Sequence, residues 1–276
     1  MDSFNPTSLD TLCAALCYAM GVDAPRQAAP ANKTLTDYVD TALQGKKADR
    51  ILMFNPDAIG QWIYEKYPQL LKEVNLHTEL AVPFATVMPS VTPVCFGTMY
   101  TGAQPQVHGI QSYTKPVIAI DTIFDAMVRA GKKCAIVAAP AASLARIFLE
   151  RDIDYIAPPS GDSVLAEATR LILEDKHDLI VVYCGNYDHS SHYNGPEDIA
   201  TLGELRANSR AFDQLTYAVR TYWKQHNTLM GFAMDHGCHS CDKYGTDGTH
   251  YLGTHGEYIP EDINILHRYK IWPATE

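Results

Sequence analysis

The sequence predicts an α/β fold: a mostly parallel sheet sandwiched by helices. Two observations lead there. Short apolar runs of strand length alternate with segments whose apolar residues recur at helical spacing, and that alternation builds a parallel sheet covered on both faces. In addition, three apolar runs lead within a few residues to an acid: RILMFN (50–55) runs into Pro56-Asp57, DLIVVYC (178–184) into Gly185-Asn186-Tyr187-Asp188, and TLMGFAM (228–234) into Asp235. Ligands in such folds sit beyond the carboxyl ends of the strands, so the three carboxylates are expected at one edge.

The elements follow in order. Leu9, Leu12, Cys13, Leu16 and Met20 recur as one face of an amphipathic helix; Thr7 and Asp10 have the spacing of a capping box, and Gly21 is placed to stop the helix. The stretch from Gly21 to Lys33 is rich in Ala and Pro and reads as irregular. Leu35, Tyr38, Val39 and Leu43 predict a second helix with Gly45 after it. The pattern then changes, which divides the chain into an N-terminal helical extension, 1–48, packed on a catalytic α/β domain, 49–276. Within the latter, RILMFN precedes a helix near 60–74, and TELAVPF (78–84) reads as strand. Helix 121–131 ends at a glycine before strand 134–139. Helix 143–150, strand 154–158 and helix 162–174 lead to DLIVVYC. A long helix, broken or bent, covers much of 197–225, before TLMGFAM and a last strand at 263–269.

The composition, 46% hydrophobic and 20% charged, suits a globular protein with a full core. A net charge of -10 argues against a nucleic-acid polymer or an anionic membrane as partner. No apolar run reaches the length of a membrane span, and the first residues carry Asp2 and Asp10 without an early Lys or Arg, the opposite of a secretory leader. The expectation is a cytoplasmic protein, and its two N-terminal helices are candidates for a homodimer contact. Seven cysteines do not form a secreted disulfide framework. Cys238 and Cys241 make a lone CxxC, read as reduced, partly buried thiols rather than half of a zinc site.

The chemistry is concentrated late in the chain. Seven of the eleven histidines fall between His189 and His255, as a site of imidazole and carboxylate ligands requires. Asp188 and His192 are four apart, one helical turn. Asp235 and His236 end an apolar strand, and Gly237 fits a turn there. His255, between Thr254 and Gly256, is favoured over His250 as a further ligand; His189 and His239 read as neighbours of the site or as exposed. Thr92 precedes Pro93, which suits the first turn of a helix with Thr92 at its N-cap. A hydroxyl there faces free N–H groups and the positive end of the helix dipole, a seat for phosphate.

The ordered set resembles the alkaline phosphatase superfamily, and within it the type I phosphodiesterase and nucleotide pyrophosphatase branch. The matching pieces are Asp57 after the first core strand, Thr92 nine residues before Thr101 in YTGAQPQVHGI, DHSSHYNGP from Asp188, DHG from Asp235, and the late THGE. The resemblance covers roughly residues 50–270, and five weak motifs in the right order make it specific. It implies an alkaline-phosphatase-like core and two divalent metal ions, usually zinc, with Mn²⁺ able to occupy the same N and O ligands. It assigns one metal to Asp188, His192 and His255, and the other to Asp57, Asp235, His236 and the oxygen of Thr92. It also makes Thr92 the catalytic nucleophile of a phosphodiesterase or pyrophosphatase type hydrolase acting on a small phosphorylated or phosphonate substrate. Two departures are visible. Ser191 replaces the usual Gly before His192, and Tyr113 stands where the nucleotide pyrophosphatases place an Asn that contacts phosphate; its phenol can make a similar hydrogen bond. Only 18 residues separate His236 from His255, too few for a large cap domain. The alternatives on the same core are a phosphomonoesterase, a phosphonate C–P hydrolase, or a relative that binds metal without turnover. No Cys or Ser stands at position 92 as a sulfatase would need.

Overall fold

The computed structural model describes residues 3–159 and 161–275; Met1, Asp2, Ser160 and Glu276 lie outside it. The chain begins with helices α1 (Thr11–Met20) and α2 (Lys33–Leu43), then strand β1 (Arg50–Pro56), helices α3 (Gln61–Lys66) and α4 (Lys72–His77), and β2 (Leu80–Ala85). Helices α5 (Thr92–Thr101), α6 (Pro105–His108) and α7 (Ile123–Arg129) lead to β3 (Cys134–Val137), α8 (Ser143–Ile147) and β4 (Asp154–Ile156). Next come α9 (Gly161–Glu174), β5 (Leu179–Cys184), α10 (Asn186–Asn194), the long α11 (Ile199–Tyr222) and β6 (Thr228–Phe232). The chain closes with β7 (His239–Tyr244), β8 (His250–Thr254), α12 (Pro260–Ile263) and β9 (Asn264–Trp272).

The main sheet has the order β2-β9-β6-β1-β5-β3-β4. Every pairing in it is parallel except those of β9, which runs antiparallel to both β2 and β6. Its central strands carry continuous apolar runs, buried throughout in β3 and β6, because helices cover both faces. β1 lies between β5 and β6 in parallel register, with Phe54 opposite both Val182 and Phe232. The residues that follow these three strands therefore emerge together, which places Asp57, Asp188 and Asp235 at one edge, as the strand-end rule anticipates. The segment between His236 and His255 is occupied by the β7–β8 hairpin, whose strands are largely polar and do not read as strands in the sequence.

Several local expectations need correction. The Thr7–Asp10 capping box does not form: Asp10 accepts a hydrogen bond from the Gln104 amide at 2.6 Å instead, and Asp10 makes no side-chain cap. α1 is buried on nearly every face rather than amphipathic, and its side chains belong to the same core as the sheet. Gly21 does stop it, in the left-handed conformation at φ 67. The helix near 60–74 is two helices, because Pro68 after Tyr67 cannot continue the first. α11 runs unbroken for 24 residues. Thr92 is the first residue of α5 and Val91 is its N-cap, one position earlier than the spacing suggests. No helix among the described residues is long and apolar enough to cross a membrane.

Candidate metal centre

β1 delivers Asp57 to a site where it is 1% exposed. Its strand end is fixed from two sides, since the Asn55 amide donates to Ala233 O at 2.5 Å and accepts from the Tyr100 phenol at 2.6 Å. Ala58 follows in the left-handed region at φ 61, a conformation rare for a residue with a side chain. This turn aims its N–H at Asp235 Oδ1, 3.3 Å away, so the strained residue serves the site. Asp235 and His236 leave β6 fully buried. Gly237 is required at the next position: a Cβ there would lie 2.0 Å from Glu261 O, where the loop presses on α12.

The second group is built on α10. Asp188 in its first turn and His192 one turn later face the same point, and β8 brings His255 to it. Gly253 makes that approach feasible, since a Cβ at that position would lie 2.2 Å from Ser191 O. Ser191 is buried and its hydroxyl donates to Asp188 O at 2.8 Å, so the departure from Gly costs no space here.

The three histidines share one arrangement. Nδ1 of His236, His192 and His255 lies 2.9, 3.0 and 3.0 Å from the carbonyls of Gly237, Gly253 and Ser90. A backbone carbonyl only accepts, so this network assigns the proton to Nδ1 and leaves Nε2 as the inward lone pair of the neutral ring. Second partners of this kind orient metal-ligating imidazoles. Nε2 of His236 is 3.4 Å from both Asp57 Oδ1 and Asp235 Oδ2. Nε2 of His192 and of His255 are each 3.4 Å from Asp188 Oδ1. The ligand atoms of each trio lie within 4.8 Å of one another. The two groups adjoin, with the His236 and His255 rings 4.1 Å apart between centroids.

These residues fit a pair of metal ions. Asp57 Oδ1, Asp188 Oδ1 and Asp235 Oδ2 are buried without a hydrogen-bond partner, an arrangement native proteins rarely tolerate unless something else satisfies the atom. Each unpartnered oxygen points into one of the two trios. The donors are nitrogen and oxygen only, which suits zinc or manganese.

Electrostatics differ between the trios. Burial pushes the Asp57 carboxyl up to about 7, helped by the negative charge of Asp188 and opposed by the Tyr183 hydrogen bond. Burial and the charge of Asp57 push Asp235 well up too, and burial holds His236 down at about 3. At Asp188, burial is outweighed by His192 and His255, which hold the carboxyl well below its usual range. Burial opposes the charge on His192, but Asp188 raises it to about 9; His255 is raised by the same partner.

Thr92 is 3% exposed. Its hydroxyl donates to Asp57 Oδ2 at 3.4 Å and lies 3.4 Å from His236 Nε2, at the positive end of α5. Asp188, His192 and His255 line a cleft of about 630 Å³, whose walls also include Tyr113, Lys115, Ser143, Tyr183, Lys243 and Tyr251. Tyr113 is 61% exposed on its wall. The other candidates belong to neither trio: His250 is exposed on Asp242, His239 is held by the buried Asp262 at 2.8 Å, and His189 lines the cleft beside Tyr193. Cys238 and Cys241 are free thiols, the first buried and the second half-buried.

Sequence reasoning missed Tyr183. Its phenol donates to Asp57 Oδ2, leaving Oδ1 for the trio, and its ring packs edge-on against Phe96 at 5.7 Å. The available signal was a lone polar-tipped aromatic near the ligand end of an otherwise apolar strand.

No family model matches the chain, and no curated protein matches it. Solved structures do. Murine ectonucleotide pyrophosphatase/phosphodiesterase 5, as an inactive threonine-to-alanine variant in complex with AMP, superimposes with a TM-score of 0.64 at 13% identity, over 80% of this chain and 87% of that one. The human protein of the same name gives 0.60 at 13% identity, over 80% and 87%. Phosphonoacetate hydrolase from Sinorhizobium meliloti 1021, in complex with phosphonoformate, gives 0.52 at 19% identity, over 75% of this chain and 61% of that one.

Proposed function

Starting from the alkaline-phosphatase-like fold that this chain shares with those structures, we propose that it is a metal-dependent hydrolase of phosphoric esters, of phosphodiesterase or pyrophosphatase type, with Thr92 as nucleophile. One observation carries the reading: a buried threonine hydroxyl stands 3.4 Å from both Asp57 and His236, beside unpartnered buried carboxylate oxygens.

Asp57, Asp235 and His236 with Thr92 Oγ1 would hold one divalent ion, and Asp188, His192 and His255 the other. Bound there, zinc or manganese would neutralise phosphoryl charge and lower the pKa of the attacking hydroxyl and of water. The protein's own groups do the rest. Asp57 Oδ2 accepts from the Thr92 hydroxyl and so orients Oγ1 and offers the nearest site for its proton. Thr92 Oγ1 attacks phosphorus in line, the bond to the leaving oxygen breaks, and a phosphothreonine forms; water then cleaves it and restores the hydroxyl. The N-terminus of α5 favours the phosphoryl oxygens, and the Tyr113 phenol donates to one of them from the cleft wall. Preorganised charge and positioning account for most of the rate in such reactions.

The neighbours support the reading. One is named a pyrophosphatase/phosphodiesterase and is described as inactive with one threonine changed to alanine; another is named a phosphonate hydrolase. Phosphonate or phosphomonoester hydrolysis by the same residues is the second reading, favoured by the two lysines of the cleft wall, Lys115 and Lys243. The test is a hydrolysis screen with added Zn²⁺ or Mn²⁺, comparing p-nitrophenyl phosphate, bis-p-nitrophenyl phosphate, nucleoside triphosphates and phosphonoacetate. Metal-dependent turnover of at least one is expected; metal binding with no turnover of any would leave only a binding protein.

A further inference from the structure

One buried acid lies outside the chemistry proposed above. Asp262, on the short helix α12, is fully buried. Unlike Asp57, Asp188 and Asp235, it has both oxygens engaged: Oδ1 accepts from His239 Nδ1 at 2.8 Å and Oδ2 from the Glu257 N–H at 2.9 Å. It belongs to neither ligand trio. Taking a carboxylate out of water for two local donors is unfavourable unless the arrangement fixes something.

What it fixes is the chain beside the ligands. Glu257 follows His255 by two residues, and His239 follows His236 by three. The backbone of Asp262 adds a third bond, its carbonyl accepting from Gly237 N at 2.8 Å, so the residue directly after His236 is held to the same helical turn. The rest of α12 meets the other ligand segments. A Cβ on Gly60, three residues after Asp57, would lie 2.7 Å from Glu261 O, and one on Gly237 would lie 2.8 Å from the Gly60 Cα. Ile263 O accepts from Thr86 N at 2.9 Å, and the Thr86 hydroxyl donates to Asp235 O at 2.7 Å. Asp57, Asp235, His236 and His255 each stand within three residues of a contact with α12, whereas Asp188 and His192 stand on α10.

We propose that Asp262 is a positioning residue for the metal centre as a whole: through α12 it holds the turns after His236 and His255 at one fixed spacing, and so sets the relation between the two trios. This rests on the two-ion reading above and adds to it a residue that is not a ligand. The trios adjoin at the His236 and His255 rings, 4.1 Å apart between centroids, and these are the two ligands whose following turns bond to Asp262. An acid that only stabilised the loop would predict a lower Tm with an unchanged site.

The test titrates metal-free wild type, Asp262→Ala, His239→Ala and Asn32→Ala with Co²⁺, an ion suited to the same imidazole and carboxylate ligands, whose visible absorption reports their geometry. Chelator competition gives the two affinities. Asn32→Ala removes the N-cap bond of α2 to Leu35 N and touches no ligand turn, so it controls for lost stability alone; its Tm should fall while affinities and spectrum stay those of the wild type. Asp262→Ala should weaken both ions by about ten- to a hundredfold, the usual effect of removing a residue that orients the ligands, and should alter the spectrum. His239→Ala frees only one of the two carboxylate oxygens and should show the same change to a smaller degree. Unchanged affinities and spectrum in folded Asp262→Ala, or in His239→Ala if the first does not fold, would overturn the inference while the metal reading stands. A loss confined to one ion would overturn it too, because the brace is common to both. No turnover is needed, so the role is decided even if no ester is cleaved. A wild type that takes up no Co²⁺ would sink the metal reading itself, and this role with it.

Discussion

The two ligand trios use the same residue types in opposite proportion, and their electrostatics diverge accordingly. Asp57, Asp235 and His236 place two carboxylates and one neutral imidazole in full burial. Asp188, His192 and His255 place one carboxylate between two imidazoles at a partly open edge. The first trio lacks positive charge, so its acids are forced upward and two of their oxygens have no partner. The second can supply its own by protonating its histidines, which are raised while Asp188 is lowered. Without metal, then, the buried trio is a source of instability and the open trio a source of stability. A metal ion would relieve the first and would have to displace protons from the second.

The sharpest way to break this comparison is a pair of isosteric changes in metal-free protein. Asp188→Asn removes the charge that two histidines depend on and should lower stability by about 2–3 kcal/mol, somewhat less than for a fully buried pair. Asp235→Asn removes a buried, uncompensated charge and should leave the metal-free protein equally or more stable. Denaturant melts of the two variants measure this; equal losses would erase the distinction.

The pH dependence of the metal-free protein is the next effect. Asp57 titrates near 7 when folded and near 4 when unfolded, so its stabilising proton is present in acid and lost as pH rises through 7; Asp235 acts in the same direction. The stability from His192 is full below about 6.5 and lost as pH rises through 9. Asp188 contributes above about 4 and is constant in this window. His236, held down at about 3 by burial, works the other way below about 6.5, where folding must expel its proton, and the buried His108 and His267 do the same. The Tm of chelator-treated protein should therefore fall from about pH 6.5 to 9, and added Zn²⁺ should raise it more at about pH 8.5 than at about 6.5. A rising or flat profile would contradict the assignment.

Two smaller effects sharpen it. His255→Ala should lose one equivalent of metal, whereas His250→Ala, whose ring rests on Asp242, should keep both; elemental analysis distinguishes them. Tyr183→Phe removes only the hydroxyl that orients Asp57 and should weaken metal at the buried trio about tenfold, without changing the Asp188 site. Chelator competition resolves the two affinities, and equal weakening of both would point to a general structural loss.

The contrast also explains what could be read from the sequence. The three acids were legible because strand ends are marked by apolar runs, and the topology then forces Asp57, Asp188 and Asp235 to one edge. Their burial was not: whether an acid ends at 1% or 17% side-chain exposure depends on loops such as Gly237 against Glu261. The choice of His255 over His250 could be drawn from neighbouring Gly and Thr, but its cause is the packing of β8 on α10 through Gly253, a contact between segments sixty residues apart. The polar hairpin HSCDKY and HYLGT has no apolar alternation to reveal it. Tyr183 acquires meaning only from its partner at the end of another strand, Asp57.

The central claim, that Thr92 attacks phosphorus, is tested most directly by rapid quenching after mixing the metal-loaded protein with a turned-over phosphoester, followed by mass analysis of the residue 92 peptide. The account predicts phosphate on that peptide in the wild type, reduced but measurable turnover in Thr92→Ser, and almost none in Thr92→Ala, which should remain folded and still bind metal through Asp57, Asp235 and His236. A Thr92→Ala protein that is folded, metal-loaded and fully active would contradict it, and would make water the attacking group.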